Sequence, residues 1–458
     1  MQTEHPLTTA YRRFSPTSEK WAEQAQQVFP GGDTRASAHY GPYPLAMQKA
    51  KGCLLTDLDG NQIVDFMNNF TSLIHGHAHP RVVDAIQEQA TIGSAYAAPS
   101  VGQVQLAELI VERIPSIEQM RFTSSGTEGT QMAIRCARAA TGRQKIMKME
   151  GGYHGSFELA EVSLVPMPNA CGPLDAPVSL AVDKSFPESV LADTIICPYN
   201  QPELAKDLIA RHADDLAALI VEPVLGSMGM IPASTEFLQT LRDETQARGV
   251  VLIFDEVITL RLSAGGAQAI HNISPDLTCM GKIIGGGLPI GALGGKRELL
   301  QLFSPAQEQP IMHASTFSGN ALTMAAGLAA MQNYGEGEVE RINLLGARLR
   351  DGFNDVFTSS GIRGQALGMG SLTNIHLTDD EITDARCSID GIIAAGHIAG
   401  LLHLTMLRHG IMSATRLMYC TSTAMGEAEI DKAVNALSET LQELRPYIEQ
   451  ERPNLIAG

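Results

Sequence analysis

The chain contains no Cys-x-x-Cys pair. Its seven cysteines (Cys53, Cys136, Cys171, Cys197, Cys279, Cys387 and Cys420) are scattered and odd in number. This speaks against a zinc ribbon or a disulfide framework and suits reduced thiols, so a cytoplasmic location is expected. No uninterrupted apolar run approaches the roughly 20 residues that a membrane helix needs. No apolar stretch follows basic residues near the N-terminus, so no secretory leader is expected. Positive charge is in short supply: 33 lysines and arginines stand against 50 acidic residues, a formal net charge of −17. That balance disfavours nonspecific binding to nucleic acid or to an anionic membrane, and no basic run carries interleaved aromatics. It leaves an anionic substrate open, because local arginines set the potential of a site. No internal repeat or low-complexity tract occurs. His75, His77 and His79 lie close together, but no cysteine or carboxylate sits among them, and no metal is expected.

What is present is long and ordinary in its apolar content. At 458 residues, 44% of them hydrophobic, the chain suits a large domain with smaller parts rather than one small core. Residues 1–66 read as an N-terminal segment belonging to a smaller domain. A helix is expected from Ser18 to Val28, stopped by Pro30-Gly31-Gly32. Leu54–Asp57 and Gln62–Asp65 flank Asp59-Gly60, a hairpin signal. From 67 to 334 helices alternate with short apolar strands, among them Ile195-Ile196, Ala218–Val221 and Val250–Phe254. Such alternation predicts an α/β fold with a largely parallel sheet covered on both faces. Gly335 to Gly337 marks the passage to a C-terminal small domain, 335–458. In that domain a strand is expected from Gly368 to Asn374, and helices over 391–409 and 430–444. Pro168–Lys184 lacks periodicity and is expected to be a mobile loop.

Chemistry enters at one lysine. Lys282 sits among small residues in Gly281-Lys282-Ile283-Ile284-Gly285-Gly286-Gly287, downstream of the strand Val250–Phe254, which ends at Asp255-Glu256. A strand-end aspartate followed by such a lysine suits pyridoxal 5′-phosphate (PLP). The amine can form a Schiff base with the aldehyde, and the carboxylate can keep the pyridine nitrogen protonated. An aspartate–pyridinium pair at about 3 Å, with an effective dielectric near 20, has roughly 5 kcal/mol of Coulomb energy before desolvation. A solvated turn for Lys282 and a helix cap for Asp255 are the plainer readings. Lys296, in the charged cluster Lys296-Arg297-Glu298, reads as surface. A phosphate cup lies upstream. Met120–Thr123 reads as a strand, Ser124–Gly129 as a small-residue turn, and 130–140 as a helix ended by Gly142. Backbone N–H groups and hydroxyls then surround an anion at the positive end of the helix. Tyr153, after Gly151-Gly152, can stack on a pyridine face or be a core tyrosine. Glu222 ends another apolar strand, as a hydrogen-bonding support or a loop anchor.

With these residues in place, the chain resembles the class III aminotransferases of PLP fold type I over nearly its whole length. The ordered pieces are Phe122-Thr-Ser-Ser-Gly-Thr-Glu128, Gly151-Gly-Tyr-His-Gly155, Val221-Glu-Pro223, Phe254-Asp-Glu-Val257, Gly281-Lys-Ile-Ile-Gly-Gly-Gly287 and Ser315-Thr-Phe-Ser-Gly-Asn320. The resemblance implies a large domain with a mainly parallel sheet of the seven-stranded type and smaller α+β parts. It implies Lys282 as the covalent anchor, Asp255 on the ring nitrogen, Tyr153 stacked on one ring face and Val257 on the other. Ser125, Gly126 and Thr127 would bind the phosphate. Thr316 would complete the phosphate site of a neighbouring subunit, which implies a homodimer with shared active sites.

Two branches of the class compete. Gly281–Gly287 and Gly265-Gly-Ala-Gln268 are shared with glutamate-1-semialdehyde 2,1-aminomutase. Three segments resemble the β-phenylalanine-type β-amino acid aminotransferases instead: Gly31-Gly-Asp-Thr-Arg-Ala-Ser37, Glu256-Val-Ile-Thr-Leu-Arg-Leu262 and Ser413-Ala-Thr-Arg-Leu-Met-Tyr419. The mutase's characteristic glutamate near the last is absent, with Leu417 at that place. His39, Tyr40 and the run Leu417–Cys420 depart from the β-phenylalanine type and put the natural side chain in doubt. Both partners in a transamination, an amino donor and a keto acid, carry carboxylates. An arginine fork binds a carboxylate bidentately and stays charged. A β-amino acid holds its carboxylate one carbon further from the amine than an α-amino acid, so one fixed arginine cannot serve both equally. Arg35 is expected to take the β-substrate and Arg416 the α-keto acceptor. Arg261 is expected in a surface ion pair. A catalytically silent protein of this fold is the remaining alternative; intact Lys282 and Asp255 argue against it.

Overall fold

Seven strands whose residues face apolar surroundings on both sides form the central sheet. Leu216–Val221 and Val251–Asp255 are buried at every position, as expected for parallel strands covered on both faces. The computed structural model describes residues 4–457. The sheet order is Gln119–Thr123, Gly291–Gly295, Leu277–Gly281, Val251–Asp255, Leu216–Val221, Lys145–Met149, Thr194–Cys197. Gly291–Gly295 runs antiparallel to both its neighbours; the pairings among the other strands are parallel. The helix after the first strand, Gly126–Thr141, buries Ala133, Ile134, Cys136 and Ala137 against the sheet and ends at Gly142 in the left-handed region.

The chain divides into two units. The sheet belongs to the unit made of residues 80–340 and 382–389. The other unit gathers 4–79, 341–381 and 390–457, so both ends of the chain contribute to it. The expected boundaries at 66/67 and 334/335 thus shift. Residues 67–79 stay with the N-terminal part because Gly52 and His77 exchange backbone hydrogen bonds and Asn68 Nδ2 donates to the Cys420 carbonyl at 3.0 Å. The return of 382–389 to the sheet unit is fixed by Arg386. Its guanidinium forks onto Glu150 at 2.7 and 2.9 Å, and Asn200 Nδ2 reaches the Thr383 carbonyl at 2.9 Å.

The two-ended unit holds a four-stranded sheet, Met47–Lys51, Leu54–Asp57, Gln62–Asp65 and Ile411–Met412, and a three-stranded one, Gln365–Leu367, Leu372–His376 and Met418–Cys420. The hairpin around Asp59-Gly60 forms as read. Its core joins Phe66, Phe353 and Tyr419 with Leu437, Leu441 and Leu444 of the helix Glu427–Glu451.

Three expectations change. The helix placed over 18–28 runs Pro16–Ala25 after an earlier helix, Pro6–Phe14. Ser18 lies inside that helix; it is buried, and its Oγ accepts from the Ala46 N–H at 3.2 Å. The helix placed over 391–409 is two helices, Ala385–Ala395 and Ile398–Arg408, bent by 78°. Gly396, at φ +56, lies at the break, a conformation that ends helices. The segment expected as a mobile loop is fastened: the Val178 N–H reaches the Cys171 carbonyl at 2.9 Å and Arg386 Nη1 the Gly172 carbonyl at 2.8 Å. Among the described residues, no single helix is long and apolar enough to cross a membrane.

Candidate active site

The sheet register decides which loops meet. Thr123, Gly291 and Gly281 lie side by side, and Asp255 pairs with Cys279 on the next strand. Adjacent strands are about 4.8 Å apart. The turn after Thr123, the residue after Gly281 and the carboxylate of Asp255 therefore share one edge of the sheet, at the carboxyl ends of strands that run the same way, where ligands of such sheets collect. Val221 pairs with Phe254, which brings Glu222 to the same edge. Tyr153 follows the end of the next strand, Lys145–Met149.

Ser125 opens the helix Gly126–Thr141. Its Oγ accepts from the Glu128 N–H at 3.2 Å, and Glu128 Oε2 accepts from the Ser124 N–H at 2.9 Å. This reciprocal cap begins the helix four residues earlier than expected and leaves N–H groups of its first turn for an anion. Two glycines make the cup possible. A Cβ on Gly126 would stand 3.2 Å from the Val257 side chain, closing the space between them. A Cβ on Gly291 would collide with the Ser125 carbonyl oxygen.

Asp255 is 5% exposed. One oxygen accepts from the Val257 N–H at 3.1 Å, and the other meets His154 Nδ1 at 2.9 Å. His154 is buried, and its Nε2 finds no partner among the described residues. Lys282 follows Gly281 at φ +50, a left-handed conformation that costs a non-glycine residue about 1–2 kcal/mol and is concentrated at functional sites. Glu222 is buried and ties the Tyr153 segment to its own loop. Its oxygens accept from the Tyr153 N–H at 3.0 Å and the Gly226 N–H at 3.2 Å. Burial, with Asp255 nearby, pushes its carboxyl upward. Behind it Lys148, fully buried, donates to the Val162 carbonyl at 2.6 Å; burial lowers its ammonium to about 7, opposed by Glu222 and Glu150. The Tyr153 hydroxyl meets Ser156 Oγ at 2.9 Å, and the Ser156 N–H donates to Thr127 Oγ1 at 3.2 Å, so the aromatic ring is tethered to the cup.

Arg35 and Arg416 are in the other unit, both exposed. Arg35 Nη1 donates to Asn69 Oδ1 at 2.8 Å, and the Arg416 guanidinium lies 5.9 Å from the centre of the Phe70 ring. Thr316 is exposed; its neighbour Ser315 meets Ser124 of the same chain at 3.2 Å. Lys296 is exposed and paired with Asp276 at 2.5 Å. Arg261 corrects an expectation. It is fully buried, in a 3-10 turn (Thr259–Leu262) where its carbonyl accepts from the Tyr334 hydroxyl at 2.5 Å. The turn is tucked in because buried Glu256 accepts from Thr259 Oγ1 and from the N–H groups of Ala267 and Gln268. His154, Ser156, Asn69 and Phe70 had no assigned role in the sequence. His154 stands beside Tyr153 in the motif, but its partner is 101 residues away.

A lysine, a buried carboxylate held by an imidazole, and a capped helix start with two hydroxyls are the donor set that a phosphorylated pyridine aldehyde requires. The fold and this set define a PLP-dependent enzyme of fold type I. The family model for class III aminotransferases matches residues 36–441, and the chain belongs to that family. A glutamate-1-semialdehyde 2,1-aminomutase of Desulfotalea psychrophila is 41% identical over 425 residues, 91% of this chain and 96% of the relative. An ω-transaminase from Sphaerobacter thermophilus superposes with a TM-score of 0.89 at 41% identity, over 93% of this chain and 98% of that one. A transaminase solved with PLP bound gives 0.86 at 35%, over 94% and 98%. A β-phenylalanine aminotransferase from Variovorax paradoxus gives 0.86 at 33%, over 96% and 97%. The chain is therefore a PLP-dependent aminotransferase by family.

Proposed function

We propose that this enzyme moves the amino group of a β-amino acid, β-phenylalanine-like or aliphatic, to an α-keto acid such as 2-oxoglutarate or pyruvate, in two half-reactions. PLP, when bound, supplies an electron sink that lets a proton leave the carbon bearing the amine. The chain's residues do the rest. The helix start at Ser125, Gly126 and Thr127 binds the phosphate. The Asp255 carboxylate, oriented by His154, holds a proton on the ring nitrogen. Tyr153 and Val257 confine the ring faces. Lys282 Nζ would hold the cofactor covalently and would move a proton at the substrate carbon. Arg35 receives the carboxylate of the β-amino donor and Arg416 that of the keto acid. The observation that carries the β-amino reading is the pair of exposed arginines seated on adjacent residues, Asn69 and Phe70. The named activity of the Variovorax neighbour supports it.

A second reading is the intramolecular aminomutase. The curated relatives favour it: a relative bearing that name is 41% identical, against 33% for the β-phenylalanine aminotransferase. Lys282 and Asp255 serve either reaction equally. Holoenzyme is therefore incubated with β-phenylalanine plus 2-oxoglutarate, and separately with glutamate-1-semialdehyde alone. Amino transfer in the first mixture and none in the second is expected. Turnover of the semialdehyde with no acceptor, and none of the β-amino acid, replaces the first reading by the second. Borohydride reduction followed by peptide mapping should label Lys282, and Lys282→Ala should abolish the amino transfer.

The working unit in this reading is a homodimer, with Thr316 of the partner subunit at each phosphate. Exposed Met312 and Phe317 beside Thr316 support an interface there. Light scattering should give twice the chain mass.

A further inference from the structure

Residues 68–71 form one turn of the wrong hand. Asn68, Asn69, Phe70 and Thr71 have φ of 46, 47, 54 and 72°, and none is glycine. Single asparagines visit this region; four consecutive residues do so only where the surroundings impose it. The surroundings are visible. Asp65 Oδ1 accepts from the N–H groups of Met67 and Asn68 at 2.9 and 2.8 Å, and its Oδ2 meets His77 at 2.7 Å. Asn68 Nδ2 is held by the Cys420 carbonyl at 3.0 Å, and the Cys420 N–H donates to the Phe66 carbonyl at 2.6 Å. The turn is thus fixed to the strand Met418–Cys420, which follows Arg416.

Its two outward residues hold the two arginines. The Asn69 amide is used at both ends: Oδ1 accepts from Arg35, and Nδ2 donates to Ser72 Oγ at 3.0 Å, which fixes the amide's orientation. Phe70, next in the chain, presents its ring to Arg416, a cation–π contact. Arg35 and Asn69 also line a cavity of about 220 Å³, with His77, Ser413 and Thr415. Two acids share that wall. Asp65 is occupied as described, and Asp33 accepts from the Thr34 N–H at 2.6 Å.

We propose that the turn Asn68–Thr71 is a specificity element: Asn69 positions Arg35, and Phe70 positions Arg416, so that one rigid turn sets where the donor and acceptor carboxylates dock. The inference rests on the reading of the two arginines as carboxylate anchors. Asn69 is a positioning residue, acting through Arg35. An uncharged amide suits that task, because it aims a guanidinium without neutralising it. A carboxylate in its place would compete with the substrate.

The test uses full-length holoenzyme and the variants Asn69→Gly, Asn69→Asp, Phe70→Leu and Arg35→Ala. Glycine keeps the left-handed backbone and removes the amide; aspartate also tolerates that backbone and serves if the glycine variant is poorly folded. Two readouts are taken: KM and kcat for the β-amino donor and the keto acceptor, and the inhibition constant of 3-phenylpropionate, a carboxylate without an amine. Asn69→Gly should raise the donor KM and the inhibition constant 5- to 10-fold, with kcat within about twofold. Asn69→Asp should raise both further. Phe70→Leu should raise the acceptor KM and leave the donor KM alone. If Arg35→Ala raises the donor KM while Asn69→Gly and Asn69→Asp match wild type, the proposal is overturned and the anchor reading stands. If Arg35→Ala changes nothing, the anchor reading falls and takes the proposal with it.

Discussion

At the scale of single residues, the site depends on groups that hold other groups. Asp255 can keep a ring nitrogen protonated only if its own carboxylate is fixed and unprotonated, and its fixed partners are the Val257 N–H and His154 Nδ1. A buried hydrogen bond to a charged group is worth about 1.5–3 kcal/mol. His154→Phe should therefore lower kcat/KM by about tenfold or more while cofactor stoichiometry stays near one per chain. Steady-state kinetics with a cofactor absorbance titration checks this; unchanged kinetics would make His154 a packing residue. Lys282, Asp255 and the cup could be proposed from the sequence because each lies in a short contiguous motif. His154 was quoted in such a motif but had no role there, since its partner is distant in the chain. Arg261 was misplaced for the same reason: a charged side chain reads as surface until its enclosure is known.

At the scale of elements, the phosphate cup is a contact between two backbones. The strand Gly291–Gly295 runs against Gln119–Thr123, and its first residue abuts the carbonyl of the helix cap Ser125. Gly291→Ala forces two main chains apart. A destabilisation of about 3 kcal/mol is expected, at the upper end for overpacked sites, together with loss of bound cofactor. Ser125→Ala removes the cap, at a cost of about 1 kcal/mol, together with one hydroxyl of the proposed phosphate site, and leaves the main chains in place. Urea midpoints of the two variants, with cofactor release on gel filtration, check the order. Reversal of that order would show the cup to be a side-chain device. Helix and strand positions in the sheet unit followed from apolar periodicity, which is local. The start of Gly126–Thr141 did not, because its first turn is held by the cap rather than by apolar burial. The bend between Ala385–Ala395 and Ile398–Arg408 was also hidden, since helical spacing continues through it.

At the scale of the whole molecule, a buried histidine gives the two-ended unit a pH-dependent stability. His403 is fully enclosed, with Nδ1 on Ser413 Oγ at 3.2 Å and the edge of Tyr40 against its ring at 4.7 Å. Burial lowers its pKa from 6.5 to about 4. A histidine depressed in the folded state contributes stability that is complete above pH 6.5 and is lost as pH falls toward 4. At 1.36 kcal/mol per pH unit the loss is about 3 kcal/mol over that interval. His403→Gln should flatten this part of the stability profile. Urea unfolding at pH 7 and pH 4.5 measures it, and an equal acid loss in the variant would assign the effect to other groups.

The sequence alone determined the family, the sheet and the cofactor class, because those signals are short motifs and local periodicities. Tertiary structure alone decided what supports them: His154 behind Asp255, Arg261 indoors, residues 382–389 returned to the sheet unit, and a left-handed turn beneath two arginines. Each of these joins positions far apart in the chain or a backbone conformation that composition does not encode. Such features arise from enclosure and register, which exist only once the chain has closed on itself.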